Sequence, residues 1–303
     1  MSGMYGPSDE AESIATVHEA IDRGVDLLDT GDFYGMGHNE MLLGRALQGR
    51  RDKVLLSVKF GAMRDPSGRF IGIDGRPRAV RNSLAYSLQR LKTDRVDIYR
   101  LARVDPAVPI EDTVGAIADL IRAGYVRYVG LSEAGAETAR RAQAVHPVAD
   151  LQIEYSLVSR EVERRILPAL RELGIAVTAY GVLSRGLLTG SAFGAGDFRG
   201  HLPRFTGANY DQNRRIANAL AEFAAEKHAT AAQLAIAWVL SRGGDIVPVV
   251  GARTRAQLRD SLAALDLALA PGDLARLERT VDSIPVAGTR YDAAQMQMLD
   301  SER

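Results

Sequence analysis

The apolar residues of this chain change period again and again, and that alternation is what most limits its fold. Short runs of strand length recur: VDLLDT (25–30), VLLSVK (54–59), VDIYRL (96–101), VRYVGLS (126–132), LQIEYS (151–156), AVTAYG (176–181) and IVPVVG (246–251). Stretches with helical spacing separate them. In the first helix, Ser8 reads as the N-cap, and Asp9, Glu10 and Glu12 suit the positive end of the dipole. Ile14, Val17 and Ile21 mark one face, and Gly24 stops the helix. Gly3 to Pro7 reads as a turn. Further helices are expected at about 39–49, 77–92, 112–123, 136–145, 161–173, 210–227, 230–242, 254–264 and 272–281.

Buried strands alternating with such helices mean a parallel sheet with helical crossovers. The pattern continues without a break, so residues 1–303 are expected to form one α/β domain, a (β/α)8 TIM-type barrel, in which closure leaves no edge strand. An open doubly wound sheet is the runner-up. It calls for a G-x-G-x-x-G turn after its first strand, which this sequence does not have. Seven strands are readable, not eight. MSGMYGP, ahead of the first helix, is not strand-like, so the barrel is expected to lack its N-terminal first strand or to close by other means.

Composition narrows the function. With 46% hydrophobic and 25% charged residues, the 303-residue chain can bury one large core. Its 38 basic and 38 acidic residues balance, which gives no electrostatic case for nucleic acid or an anionic membrane. The absence of cysteine excludes disulfides and thiolate catalysis. The five histidines are scattered, with no zinc-like spacing. The start is polar and acidic, and no apolar run approaches the length of about 18 residues that a membrane span needs. A cytoplasmic location is the default expectation.

Polar residues that a core would reject stand at strand ends. VDLLDT carries Asp29, with Tyr34 five residues on; VLLSVK ends in Lys59; VDIYRL runs into Ala102 and Arg103. In such barrels the C-terminal strand ends form the active-site face. A carbonyl reduced by hydride transfer leaves an alkoxide that needs a proton. A tyrosine hydroxyl, with a free pKa of about 10, becomes a useful acid beside a lysine cation, and that cation needs a carboxylate partner. Taken singly, Lys59 is equally a salt-bridged structural residue and Tyr34 a loop aromatic; it is the spacing of the set that points to chemistry. His38 reads as a surface residue and Trp238 as core.

DTGDFYG, SVKFG, LQIEYS and VPVVGARTRAQL resemble, in order and along nearly the whole chain, the landmarks of the aldo-keto reductase superfamily. The resemblance implies an NADPH-dependent oxidoreductase acting on a small-molecule carbonyl, with catalytic Asp29, Tyr34 and Lys59. The family's histidine belongs in a segment like L-H-R-x-D-P. This chain reads L-A-R-V-D-P (101–106), with Ala102 at that position. By the same resemblance, Gln152 and Ser132 are expected at the nicotinamide carboxamide, with Glu133 in place of the family's asparagine. Tyr180 is expected to stack on the ring, with Leu183 and Arg185 just beyond it on the cofactor side. Gly251 and Arg253, before a helix, suit the 2′-phosphate of NADP(H), and Gln257 and Asp260 lie toward the adenine.

The bland readings remain beside these: Gln152 as a loop cap, Tyr180 as core, Arg253 as a solvated helix-start residue. The glycine-rich stretch 184–208 exceeds the usual loop length, which suggests a mobile segment whose Arg185, Arg199 and Arg204 reach the pyrophosphate. The tail 283–303 is expected either to pack across the barrel mouth or to mediate contacts. Ala102 and the unreadable first strand leave a second functional expectation open, an NADP(H)-binding regulatory protein with impaired catalysis.

Overall fold

A computed structural model describes residues 1–2, 8–194 and 197–303. Seven strands form one parallel sheet: β1 (Leu27–Gly31), β2 (Leu55–Phe60), β5 (Val96–Leu101), β6 (Val126–Ser132), β7 (Val148–Glu154), β8 (Ala176–Tyr180) and β9 (Ile246–Pro248), hydrogen-bonded in that order. The register sets Gly31 opposite Lys59, Lys59 opposite Arg100, and Ser132 opposite Gln152. Among the described residues β9 does not pair with β1, and no eighth strand joins either of them. The fold is therefore a (β/α)8 barrel short of one strand, curled but open along the β1 and β9 edges.

Helices α1 (Glu10–Asp22), α2 (His38–Ala46), α3 (Pro77–Leu91), α4 (Ile110–Arg122), α5 (Ala136–Val145) and α6 (Ile166–Leu173) alternate with these strands. They are followed by α7 (Gly207–Glu226), α8 (Ala231–Leu240), α9 (Arg255–Leu262), α10 (Pro271–Asp282) and α11 (Ala293–Gln297). In α4, Ile110, Val114, Ile117 and Leu120 recur at helical spacing and are buried, while Glu111 and Asp112 occupy the first turn and Arg122 the last, as the dipole favours. Helix α8 is apolar nearly all round and buries Trp238 completely. It starts at a capping box in which Thr230 and Gln233 satisfy each other's backbone N–H.

Three expectations are corrected. The N-cap of α1 is Asp9, not Ser8: the Asp9 carboxylate accepts from Glu12 N at 2.7 Å, while Ser8 Oγ donates to Met1 O at 2.8 Å. A carboxylate both caps the turn and complements the dipole, so it outcompetes a hydroxyl. The helix read at about 161–173 is broken, with a 3-10 turn at Glu161–Glu163 before α6. A hairpin, β3 (Ala62–Arg64) with β4 (Phe70–Ile73), stands where nothing was expected. Its signal is Asp65-Pro66-Ser67-Gly68, where Asp65 Oδ1 accepts from Ser67 N and Arg69 N at 2.9 and 3.0 Å. The Gly3–Pro7 turn lies outside the described residues.

In the long segment after β8, Leu187, Leu202 and Phe205 bury one another with Phe193, Phe198, Tyr210 and Tyr291 around them. The tail ends in α11 and a 3-10 turn at Asp300–Glu302. No helix of the described chain is long and apolar enough to cross a membrane.

Candidate active site

Side chains of one parity point into the barrel from each strand, and near the C-terminal ends these are polar. Asp29, Ser57, Lys59, Arg100, Asp150, Gln152 and Thr178 are hydrogen-bonded into one layer. Lys59 Nζ donates to Asp29 Oδ2. The other carboxylate oxygen, Asp29 Oδ1, accepts from Ser57 Oγ at 2.8 Å and from Gln152 Nε2 at 3.0 Å. Arg100 Nη2 donates to Ser57 Oγ at 3.0 Å and pairs with Asp150 Oδ2 at 2.9 Å. Thr178 Oγ1 closes the layer on Asp150 Oδ2. Burial pushes the Asp29 carboxyl up. The Lys59 ammonium, the Arg100 guanidinium and the hydrogen bonds from Lys59 and Ser57 outweigh it and hold the group below the ordinary carboxylate value.

Two close approaches need glycine here. Gly61, just past Lys59, has φ +87°, and a side chain there would meet Leu101 Cδ1 at 2.6 Å and Asp74 O at 2.9 Å. Gly130 leaves room for Arg100, since a Cβ on it would lie 3.1 Å from Arg100 Nε and 2.8 Å from Asp150 Oδ1.

The turn after β1 carries Tyr34 over this layer. Tyr34 N donates to Gly31 O at 3.0 Å, and Asp32 N reaches across to Lys59 O at 2.9 Å. The Lys59 ammonium lies 5.0 Å from the Tyr34 ring centroid. Asp32 Oδ2 accepts from Gly61 N at 3.2 Å, while Oδ1 is buried without a partner. Burial, with the charge of Glu40 adding to it, raises the Asp32 carboxyl to about 6 against the pull of the Gly61 N–H.

Ala102 is 2% exposed, and its N–H donates to Phe60 O at 2.8 Å, so it belongs to the strand-end packing and offers the site no polar side-chain atom. The next residue, Arg103, turns over the mouth. Its guanidinium donates to Ala102 O at 2.7 Å and to the Tyr291 hydroxyl at 3.2 Å.

Across the mouth, Ser132 Oγ is buried without a partner, beside Gln152 on the neighbouring strand. Tyr180 donates its hydroxyl to Glu133 Oε1 at 2.6 Å and lies 3.1 Å from the hydroxyl of Tyr291. Leu183 packs against the core and starts a turn in which Ser184 and Arg185 both take left-handed φ, +46° and +56°. Non-glycine residues adopt this region at a cost of roughly 1–2 kcal/mol each. Arg185, Arg199 and Arg204, expected at a pyrophosphate, are all engaged within the protein: Arg185 pairs with Glu154 at 3.2 Å, Arg199 with Asp197 at 2.8 Å, and Arg204 donates to Ser159 Oγ at 2.9 Å.

Beyond β9, Gly251 is exposed, and Arg253 N donates to Gln257 Oε1 at 2.8 Å. Thr254 caps α9 through Gln257 N at 3.3 Å. Asp260 accepts from Gln233 Nε2 at 2.8 Å and Thr230 Oγ1 at 3.1 Å, so it ties α9 to the start of α8. Among the described residues no group of three or more His, Cys, Asp or Glu side chains is placed to hold a metal ion.

Asp29, Lys59 and Tyr34 are thus brought together, and Gln152 joins them through Asp29. Ser132 and Tyr180 face the same mouth. Gly251, Arg253, Gln257 and Asp260 form a separate group at the start of α9. Sequence reasoning missed Ser57 and Arg100, and it gave the tail across the mouth as one alternative without naming its partners there. The first two had a signal, since they interrupt apolar strands on the same parity as Asp29 and Lys59. The partnership of the tail with β6 had none.

A family model described as the aldo/keto reductase family matches residues 1–282. A probable aldo-keto reductase 1 of Glycine max is 39% identical over 300 residues, 96% of this chain and 86% of that protein. The aldo-keto reductase yakc of Schizosaccharomyces pombe, whose name carries NADP(+), is 36% identical over 301 residues, 96% of this chain and 88% of that one. The structure of a glycerol dehydrogenase from Gluconobacter oxydans superposes with a TM-score of 0.84 at 27% identity, covering 93% of this chain and 89% of the other. The chain belongs to the aldo/keto reductase family.

Proposed function

We propose that this protein is an NADP(H)-dependent oxidoreductase that reduces aldehydes or ketones to alcohols, with Tyr34 as the proton donor. The observation that carries the reading is the buried Lys59–Asp29 pair under Tyr34, its ammonium 5.0 Å from the phenol ring. The membership of the family and the NADP(+) in a relative's name support the choice of cofactor.

The residues fit such a cofactor at both ends. Ser132 Oγ is a buried hydroxyl with no partner, next to the Gln152 amide, and a carboxamide offers both the donor and the acceptor that this pair can use. At the other end, Gly251, Arg253 and the start of α9 suit a phosphate, which would take over backbone N–H groups now held by Gln257 and Glu12. When bound, the dihydronicotinamide supplies the hydride that attacks the carbonyl carbon. Tyr34 gives its proton to the oxygen that becomes the alcohol. Lys59 stabilises the phenolate left behind, and Asp29 holds the ammonium in place under it. Gln152 and Ser57 hold Asp29 in turn. Tyr180 would stack on the nicotinamide, with Leu183 and Arg185 beyond it; Gln257 and Asp260 would meet the adenine, Asp260 keeping its bonds to α8.

A second reading, an NADP(H)-binding protein with impaired turnover, is favoured by Ala102, which cannot orient a carbonyl oxygen. Oxidation of NADPH with a panel of aldehydes, quinones and ketones separates the two. On the first reading, Tyr34→Phe lowers kcat by about 10²–10⁴ with cofactor affinity unchanged. Full activity in that variant refutes the mechanism. Tight NADPH binding without turnover of any carbonyl selects the second reading.

A further inference from the structure

Glu133 follows β6 in a left-handed conformation, φ +50°, and is completely buried. Its carboxylate is the hub of the mouth. Oε1 accepts from Glu154 N at 3.1 Å, from the Tyr180 hydroxyl at 2.6 Å and from Arg290 Nη1 at 3.1 Å. Oε2 accepts from Arg290 Nη2 at 3.0 Å and from Ser301 Oγ at 2.6 Å. Arg290, itself 8% exposed, therefore grips both oxygens in a fork. A second carboxylate, that of Glu302, holds Arg290 Nε at 3.1 Å. The rest of the tail is pinned to the same strand end: Ser301 N donates to Glu133 O at 3.1 Å, and Asp300 Oδ2 accepts from Gly135 N at 2.7 Å.

A buried ion pair contributes little net stability compared with apolar residues of similar size, so anchoring the tail does not by itself explain this arrangement. What the pair does beyond anchoring is fix two neighbours. Glu133 holds the Tyr180 hydroxyl, and its carbonyl, one residue past the unpartnered hydroxyl of Ser132, accepts from Ser301 N.

We propose that Arg290 is a positioning residue of the nicotinamide end of the cofactor site, acting through Glu133 on the ring of Tyr180 and the hydroxyl of Ser132. The inference rests on the reading above that these two side chains meet the nicotinamide. Charge states agree with it. Burial pushes the Glu133 carboxyl up, but the Arg290 charge and its hydrogen bonds bring it to about 2, so it stays an acceptor at any working pH. Burial and then the Glu133 charge push the Tyr180 phenol up, so it stays a donor.

The test compares NADPH with adenosine 2′,5′-bisphosphate, which carries the phosphate and adenine but no nicotinamide. Affinities are read by fluorescence and calorimetry. Arg290→Met should weaken NADPH by about tenfold, the worth of one displaced hydrogen bond at the nicotinamide. It should leave the bisphosphate within about twofold and raise KM for NADPH more than it lowers kcat. Arg290→Lys should recover part of the loss. If Arg290→Met does not fold, Arg290→Met with Glu133→Gln removes the charge stranded at residue 133 and should show a smaller loss, still confined to NADPH. Equal weakening of both ligands would mean a merely structural tail and overturns the proposal, as does unchanged or tighter NADPH binding. A wild-type protein that binds neither ligand sinks the reading of the site itself, and this inference with it.

Discussion

Replacing Lys59 with methionine keeps the volume of the side chain and removes only its charge. The Lys59 and Asp29 side chains are 4% and 8% exposed, so Asp29 would be left as a buried carboxylate without its main counterion. Breaking such a pair costs about 3–5 kcal/mol. Ser57 and Gln152 still donate to Asp29, and Arg100 stands one hydroxyl away, so the lower end, about 3 kcal/mol, is expected. The pH dependence has a definite sign. In the wild type the Asp29 carboxyl is depressed, so its stabilising contribution is complete above the unfolded value and is lost only as pH falls through the folded one. Without Lys59, the remaining dominant influence is burial, which raises it. The variant should therefore lose stability as pH rises through the carboxylate range and regain it on acidification. Urea unfolding at pH 8 and pH 5 reads this directly, and adding Asp29→Asn to Lys59→Met should restore most of the loss at pH 8. A Lys59→Met protein as stable as wild type at pH 8, or a double variant less stable than the single one, would refute the reasoning.

Ala102→His restores a hydrogen-bond donor at the strand end and should raise kcat on aldehydes by about 10²–10³, checked by steady-state NADPH oxidation; no gain in a folded variant means that the mouth does not admit the carbonyl beside residue 102. Asp32, raised to about 6 in the fold, destabilises the protein progressively as pH rises from its unfolded value of about 4 through 6. Asp32→Asn should remove that slope and gain about 2–3 kcal/mol at pH 8 in urea unfolding, provided the amide keeps the bond from Gly61.

The barrel was legible because each of its strands is a local apolar run followed by an amphipathic helix. Period and length are properties of a few consecutive residues. Asp29 and Lys59 were legible for the same reason, since polar residues closing apolar strands stand out. The strands of the hairpin at 62–73 are only three and four residues long, too short to show a period, and its Asp-Pro-Ser-Gly turn marks it. Glu133 reads in sequence only as an odd neighbour of Ser132. Its partner Arg290 lies 157 residues away, and nothing in the local pattern of either segment announces the other. The partners of Arg185 and Arg204 were illegible on the same ground. Glycine-rich surroundings suggested a mobile segment, and nothing near either arginine points to Glu154 and Ser159, buried on and beyond β7, which hold them.

The tail contact also sets an order of events for a chain being made. Ser301 reaches Glu133 across 168 residues. At about 5–20 residues per second, roughly 10–30 s of synthesis separate the two. For that interval β6 and β7 can pair and pack, but the Glu133 carboxylate has neither Arg290 nor Ser301. The barrel wall is thus available before its mouth is. The polar rim of the site is completed by Arg290 and Ser301, so it stays unfinished until long after the strands of the barrel wall have been made.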